Sequence, residues 1–364
     1  MEPYYFSFEE AATLFPLVAL LVSVPYVIYN YRKYGSISVW RTIVLFSFIF
    51  YLQCVYFVVI LPLPDPASLA NEPDIMPSLI PFYFVYEFFT ESSFELFQVG
   101  TWIPAFTSGL FLHSLLNCLM LFPFGVYLAY YFKCSWKKVL LFSFLFSLFC
   151  EVTQLTALYG LYPKAYRVFD VDDLITNVFG AMVGYFVYTR FLRFLPSRDR
   201  IDEKSVQRSV KVGYLRRFTA FAIDYVVTLA LWYFVATVGN IDATYAIYFI
   251  FVLLCVYTIG VSLITKGTTI GKAVVRIKVS QTEGAWPFAL AITVRYLCRN
   301  GMLFALAWME ALVSQAPGLE LLWAAIYLVI VFLVAADLLY SAIKAKPLWY
   351  ERLSRTQNVS TLRR

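Results

Sequence analysis

Apolar residues in this chain fall in long unbroken runs and not in strict alternation. Runs of about twenty such residues cross a hydrocarbon core of about 30 Å as helices. They lie at roughly 13–30, 41–61, 107–131, 139–157, 173–192, 216–238, 244–264, 289–312 and 320–342. The short alternating strands of a transmembrane barrel do not occur in the sequence. The pattern predicts an all-α, polytopic helical membrane protein with about nine transmembrane helices. The first run, Thr13 to Tyr29, has no basic segment before it and no small-residue cleavage site after it, so it reads as a membrane span and not a signal peptide.

Polar punctuation splits the runs into two groups. Residues 196–212 (PSRDRIDEKSVQRSVKV) are charged and carry no apolar stripe, as in a linker. Five spans precede them and four follow. The predicted organisation is a membrane module at 10–193, a cytoplasmic linker at 194–212 and a second membrane module at 213–362.

Charge then orients the spans. Most of the 29 Lys and Arg fall in five segments: Arg32 to Arg41, Lys133 to Lys138, Arg190 to Arg217, Lys266 to Lys278 and Lys344 to Arg364. All five share one side if the N-terminus is outside and the C-terminus cytoplasmic, as the positive-inside rule requires. The net charge of +6 is therefore a topology signal and gives no reason to expect nucleic acid as a partner. Composition agrees with the spans: 61% of residues are hydrophobic and 14% charged, against about 25% charged in soluble domains. The expected location is the plasma membrane, as a multi-pass protein. The six cysteines lie in or beside apolar runs with no C-x-x-C pair, so they read as small packing residues and not as disulfides or zinc ligands.

The connection 62–106 differs from the others. It has six acidic residues between Asp65 and Glu95, no Lys or Arg, several prolines and an aromatic second half. Two readings fit: an amphipathic helix in the membrane interface, or a loop capping the helix bundle.

The candidate chemistry sits where polar residues recur at helical spacing inside or beside apolar runs. His113 and Asn117 are four apart and share a face of the third span. Phe122-Pro123-Phe124-Gly125 follows, a kink signal whose freed carbonyl a neighbour can satisfy. Glu151 and Gln154 are three apart on the fourth span, and Asp173 and Asn177 four apart on the fifth. Gly180 and Gly184 continue that face and allow a neighbouring helix to approach. Arg167, in the connection between the fourth and fifth spans, can bridge two carboxylates with its planar fork. Ionisable groups at this depth are costly, and the default reading is function. A structural ion-pair network of Glu151, Arg167 and Asp173 is the plain alternative. For His113 it is a hydrogen-bonded buried histidine.

These residues resemble the VanZ-like family: Asn117 with Phe-Pro-Phe-Gly, Glu151-x-x-Gln154, Arg167, the Asp170-x-Asp172-Asp173 run and Asn177-x-x-Gly180, over about 10–193. The resemblance implies an integral membrane protein linked to low-level resistance to the glycopeptide teicoplanin, and it points to Glu151, Gln154, Arg167, Asp173 and Asn177. With Asn117 and His113 they make a candidate ligand-binding set.

In the second module, Arg217 and Asp224 are two turns apart on one helix face. Asp224 lies within a span and needs a partner, with Arg295 or Arg299 as candidates. Between the seventh and eighth spans, Val275, Ile277 and Val279 alternate with Arg276 and Lys278, which predicts a short strand or hairpin. Gly267-x-x-x-Gly271-Lys272 fails as a phosphate loop, because the spacing is one short and Ala273 replaces the hydroxyl. Arg217, Asp224, the Gly271-Lys272 loop and Arg295 resemble the RDD family over about 210–362. The family's last aspartate has its counterpart in Glu351, and Asp337 within the last span is a second candidate. The resemblance implies ion or proton exchange. Arg217, Asp224, Arg295 and Glu351 make the candidate polar network of this module; as a plain alternative, Arg217, Asp224 and Arg295 form only a packing network.

Three functions follow. The first is a cell-envelope or antibiotic-response protein that binds a membrane-lipid headgroup or a lipid-linked cell-wall intermediate at the outer face. The second is a secondary transporter of ions or protons through the second module. The third is a membrane hydrolase acting on lipid-linked phosphate. No serine–histidine–aspartate order or metal-ligand spacing accompanies the carboxylates, so no catalytic residue, metal or cofactor is assigned.

Overall fold

Inside a bilayer no water satisfies backbone N–H and C=O groups, so an apolar run closes its hydrogen bonds within itself. Each of the nine runs forms one continuous helix. The computed structural model describes residues 2–69, 73–192, 194–242, 245–282, 284, 286–313, 320–344 and 346–362. Two units emerge from the packing: Met1–Ser23 with Ser38–Asp202, and Val24–Ile37 with Glu203–Arg364.

The first part of the chain holds α1 (Glu2–Tyr34), α2 (Val39–Ile60), α3 (Pro66–Leu69), α4 (Tyr83–Glu91), a 3₁₀ turn (Val99–Thr101), α5 (Trp102–Phe106), α6 (Gly109–Tyr130), α7 (Trp136–Leu155), α8 (Ala157–Gly160), α9 (Val171–Phe191) and α10 (Arg198–Arg208). The remainder holds α11 (Tyr214–Gly239), α12 (Ala246–Ile264), α13 (Ile270–Val274), β1 (Ile277–Gln281), α14 (Phe288–Val313), α15 (Glu320–Lys344), α16 (Trp349–Leu353) and β2 (Thr356–Ser360). Among the described residues, 8 helices are long and apolar enough to cross a membrane. The ninth long helix, α9, has 21 residues. Its Asp172, Asp173, Asn177 and Arg190 make it less apolar than the others.

In the first unit α9 packs against α6 and α7. Glycine decides how closely. A Cβ on Gly180 would stand 1.9 Å from the Cys118 carbonyl oxygen, one on Gly184 2.1 Å from that of Phe122, and one on Gly125 1.8 Å from that of Ala181. The small face foreseen on α9 is thus the seat of α6, whose backbone it meets directly. Phe48, Val55, Leu121, Phe124, Leu128, Val139 and Ala181 form the core between α2, α6, α7 and α9. Pro123 lies inside α6 without ending it. The Tyr51 hydroxyl donates to Met120 O at 2.5 Å, one residue beyond the carbonyl whose helical donor the proline removes.

The connection 62–106 folds onto this bundle. Ser78 N donates to Phe169 O at 2.8 Å, and Val171 N to Ser78 O at 3.1 Å. Helix α4 rests against α6, and the rings of Phe88, Phe94, Phe106 and Phe111 pack together in tilted and edge-to-face pairs. Of the two readings of this segment, the contacts fit the cap. The charged stretch read as a linker contains a helix, α10. Its Asp202 carboxylate receives the buried Arg41 guanidinium, and Arg198 pairs with Asp202 one turn away at 4.0 Å.

In the second unit β1 pairs antiparallel with β2, Ile277 opposite Ser360 and Gln281 opposite Thr356. The predicted strand exists, but its partner comes from the end of the chain and not from a hairpin. Ile277 and Val279 point inward. Val279 joins Ile292 and Tyr296 in one cluster, while Ile277 joins Tyr31, Val212, Ala220 and Val275 in another. Gly267 has φ +99°, and a Cβ there would meet Val279 O at 2.4 Å. Only glycine suits that turn.

Candidate functional site

Helices α6, α7 and α9 alternate in direction, so the start of α6, the end of α7 and the start of α9 meet at one end of the first unit. The end of α2 joins them there. A cavity of about 470 Å³ opens between these ends, lined by His113, Asn117, Glu151, Gln154, Arg167, Asp173 and Asn177, with Val59, Leu61 and Met120 among its apolar walls. The structure brings all seven sequence-derived residues into this one space. Ser7 of α1 also lines it. Ser7 was not foreseen, since a lone serine among apolar residues gives no signal.

The contacts divide the seven into two groups. The last carbonyls of a helix lack intrahelical donors, and at the end of α2 side chains supply them. Gln154 Nε2 donates to Val59 O at 3.1 Å, Tyr166 Oη to Ile60 O at 2.8 Å and Arg167 Nη2 to Leu61 O at 2.6 Å. Arg167 also places a cation at the negative end of the α2 dipole. It does not bridge Glu151 and Asp173: among the described residues no ion pair joins it to either. The expected Glu151–Arg167–Asp173 ion-pair network is therefore not formed, because the guanidinium is drawn to the open end of α2.

Glu151 is 3% exposed, and its Oε2 accepts from Asp170 N at 3.1 Å. Asp170 in turn caps α9, accepting from Asp172 N at 2.8 Å. Burial raises the Asp170 carboxyl above its ordinary value, with the Asp172 N–H opposing the rise. Asp172 faces away from the cavity and caps α4, accepting from Phe82 N at 2.6 Å and Phe84 N at 2.8 Å. The acidic run thus has separate tasks: Asp170 and Asp172 hold the backbone, and Asp173 faces the cavity.

Asp173 Oδ1 accepts from Asn117 Nδ2 and lies 3.3 Å from His113 Nε2. The His113 side chain is 66% exposed, so it stands at the rim and is not the buried histidine of the plain alternative. Asn177 is 2% exposed. Its Nδ2 donates to Ser147 Oγ at 3.0 Å, while its Oδ1 has no hydrogen-bond partner. A buried amide oxygen left bare costs about 1–3 kcal/mol, which a ligand donor would offset. The arrangement offers acceptors at Asp173 and Asn177, and a cation at Arg167.

The second module arranges its charges differently. Glu351 is 1% exposed and holds Arg217 Nη1 and Arg295 Nη2, each at 2.7 Å. It also accepts from Leu348 N at 3.1 Å and Asn358 Nδ2 at 2.6 Å. Glu351 thus bridges Arg217 and Arg295, and Asp224 does not belong to this network. Asp224 accepts from Tyr257 Oη at 2.8 Å, Gly271 N at 2.7 Å and Thr269 Oγ1 at 2.6 Å. Among the described residues no arginine forms an ion pair with it; a hydroxyl pair and a backbone N–H satisfy it instead. The glycine loop that resembles a phosphate cradle is folded around this carboxylate, with a Cβ on Gly271 only 2.0 Å from Ala220 O. Asp337 binds Arg352 at 2.6 Å and Trp349 N at 3.1 Å. Lys272, 4% exposed, donates to Tyr296 Oη at 2.6 Å, and burial pushes its ammonium below the ordinary lysine value.

Fold and site together define a multi-pass helical membrane protein of two modules, with a polar cavity in the first. Residues 48–195 match the VanZ/LLP1 family model and residues 211–347 the RDD family model. The chain is a VanZ-like module fused to an RDD family module, in that order. No curated protein and no solved structure matches it.

Proposed function

We propose that the VanZ-like module binds the polar headgroup of a membrane lipid or of a lipid-linked cell-wall intermediate. On this reading the protein acts in the plasma membrane, in envelope-lipid handling or in resistance to glycopeptides such as teicoplanin. One observation carries the proposal: seven polar side chains from three helices and a connection line a single cavity of about 470 Å³ at the bundle end. Arg167 suits a phosphate or carboxylate. Asp173 and the bare Asn177 oxygen suit hydroxyl or amine donors on the same headgroup. The positive-inside pattern of Lys and Arg supports an outward-facing position for this end.

Glu151→Ala and Asp173→Asn variants expressed in a glycopeptide-sensitive host test the proposal. At equal membrane abundance, both are expected to lose the resistance conferred by the wild type; unchanged resistance counts against the site. Ion or proton exchange through the second module draws no support from its acids, since Asp224, Asp337 and Glu351 are all engaged by neighbours.

A further inference from the structure

A second cavity, of about 520 Å³, lies wholly within the RDD module, between α11, α14, α15 and the segment around α16. Four cations line it: Arg217, Lys272, Arg295 and Arg299. The nearby carboxylates do not balance them. Glu351 is shared by Arg217 and Arg295, and the Asp224 carboxylate, which accepts from two hydroxyls and an N–H, forms no ion pair with any of the four among the described residues, so two carboxylates face four cations. Lys272 and Arg299 have only neutral acceptors, Tyr296 Oη and Asn300 Oδ1. Among the described residues neither forms an ion pair. Both charged groups also sit over the Tyr296 ring, each 4.8 Å from its centre, so two cations without an ion-pair partner line the same space. Burying such charges is costly unless they are paired, and an anion is the partner that would offset that cost.

The walls identify the anion's carrier. Phe221, Met302 and Leu306 line the cavity beside the cations, and Leu215, Phe218 and Leu338 line it while remaining exposed. These last three lie on α11 and α15, both long and apolar enough to span a membrane, so the cavity opens sideways at the apolar surface. A cationic floor with an apolar side exit fits an amphiphile better than a free ion.

We propose that this cavity binds the phosphate-bearing headgroup of an anionic membrane phospholipid. Arg299 and Lys272 meet the phosphate, and the acyl chains leave past Phe218 and Leu338. Guanidinium forks favour phosphate oxygens. This site is separate from the VanZ-like cavity and does not depend on that cavity's role.

Full-length protein reconstituted in an equimolar mix of phosphatidylglycerol and phosphatidylcholine, then extracted, provides the test through mass spectrometry of retained lipid. Wild type is expected to retain phosphatidylglycerol over phosphatidylcholine. Arg299→Gln lowers that retention about tenfold, the loss of one charge-assisted contact. Arg299→Lys keeps most of it. Lys278→Gln, on the exposed face of β1, leaves it unchanged. Equal retention of the two lipids, wild-type retention in Arg299→Gln, or an equal loss in Lys278→Gln would overturn the proposal. Stabilisation of delipidated protein by inorganic phosphate as strong as that by phosphatidylglycerol would overturn the lipid as its source.

Discussion

The two modules use polar residues inside apolar helices in opposite ways. In the RDD module the acids are saturated by close partners: Glu351 takes four donors from Arg217, Arg295, Leu348 and Asn358, and Asp224 takes three. In the VanZ-like module the polar groups stand around open space. Glu151 has one backbone donor, Asn177 keeps a bare oxygen, and among the described residues Arg167 forms no ion pair. Both sets look alike as sequence, charged residues at helical spacing in apolar surroundings. Their difference teaches that burial of a charge does not by itself mark a ligand site. What distinguishes a site is how much of its hydrogen-bonding capacity the protein leaves unused.

Breaking the saturated side gives the largest effect. Glu351→Ala leaves Arg295, 3% exposed, without its carboxylate, and removal of one partner from a buried pair costs about 3–5 kcal/mol. Denaturation of the purified protein is expected to show that loss in the RDD module. A fall under about 1 kcal/mol would mean the pair is solvated and not a lock.

Asp224→Asn comes next. It replaces an acceptor oxygen by an NH₂ facing donors from Thr269, Tyr257 or Gly271, and an unsatisfied buried donor costs about 1–3 kcal/mol. Hydrogen exchange is expected to rise first at Ile270 to Val274, the short helix this carboxylate organises.

Lys272 gives a smaller, pH-dependent effect. Burial lowers its pKa from the ordinary 10.5. A depressed folded-state pKa means stability that is fully present above the unfolded value and lost as pH falls through the folded one. In detergent free of anionic lipid, Lys272→Met is therefore expected to gain stability relative to wild type at neutral pH. The difference in Tm narrows as pH rises toward 10.5. A difference that does not change with pH would place the ammonium in water.

Much of this was legible in the sequence, for physical reasons. Apolar length fixes helices because a span has no alternative, and each predicted run matches one helix. Six of the seven cavity residues were legible because residues three or four apart share a helix face, and three antiparallel helices bring those faces to one end; Arg167, in a connection, was legible as a lone cation beside them. The β1 alternation was legible too, but β2 was not, since Thr356 to Ser360 has no strong period of its own. Backbone acceptors were the main blind spot. Nothing in the side-chain pattern tells that Arg167 serves Leu61 O, that Asp172 caps α4, or that Asp224 answers the Gly271 N–H. Charge complementarity suggested arginine–carboxylate pairs for Arg167 and Asp224, and unfilled backbone groups at helix ends and turns competed successfully.

The contrast between modules is tested most directly by one paired measurement: Tm and lipid-headgroup retention for Asp173→Asn and Glu351→Gln, side by side. Asp173 is partly exposed, and its change removes a first-turn charge on α9 and weakens its contacts with Asn117 and His113, so stability is expected to fall by about 1 kcal/mol while retention in the VanZ-like cavity is lost. Glu351→Gln is expected to lose several times more stability. Asp173→Asn that destabilises as much as Glu351→Gln, with retention intact in the protein that remains folded, would contradict the account.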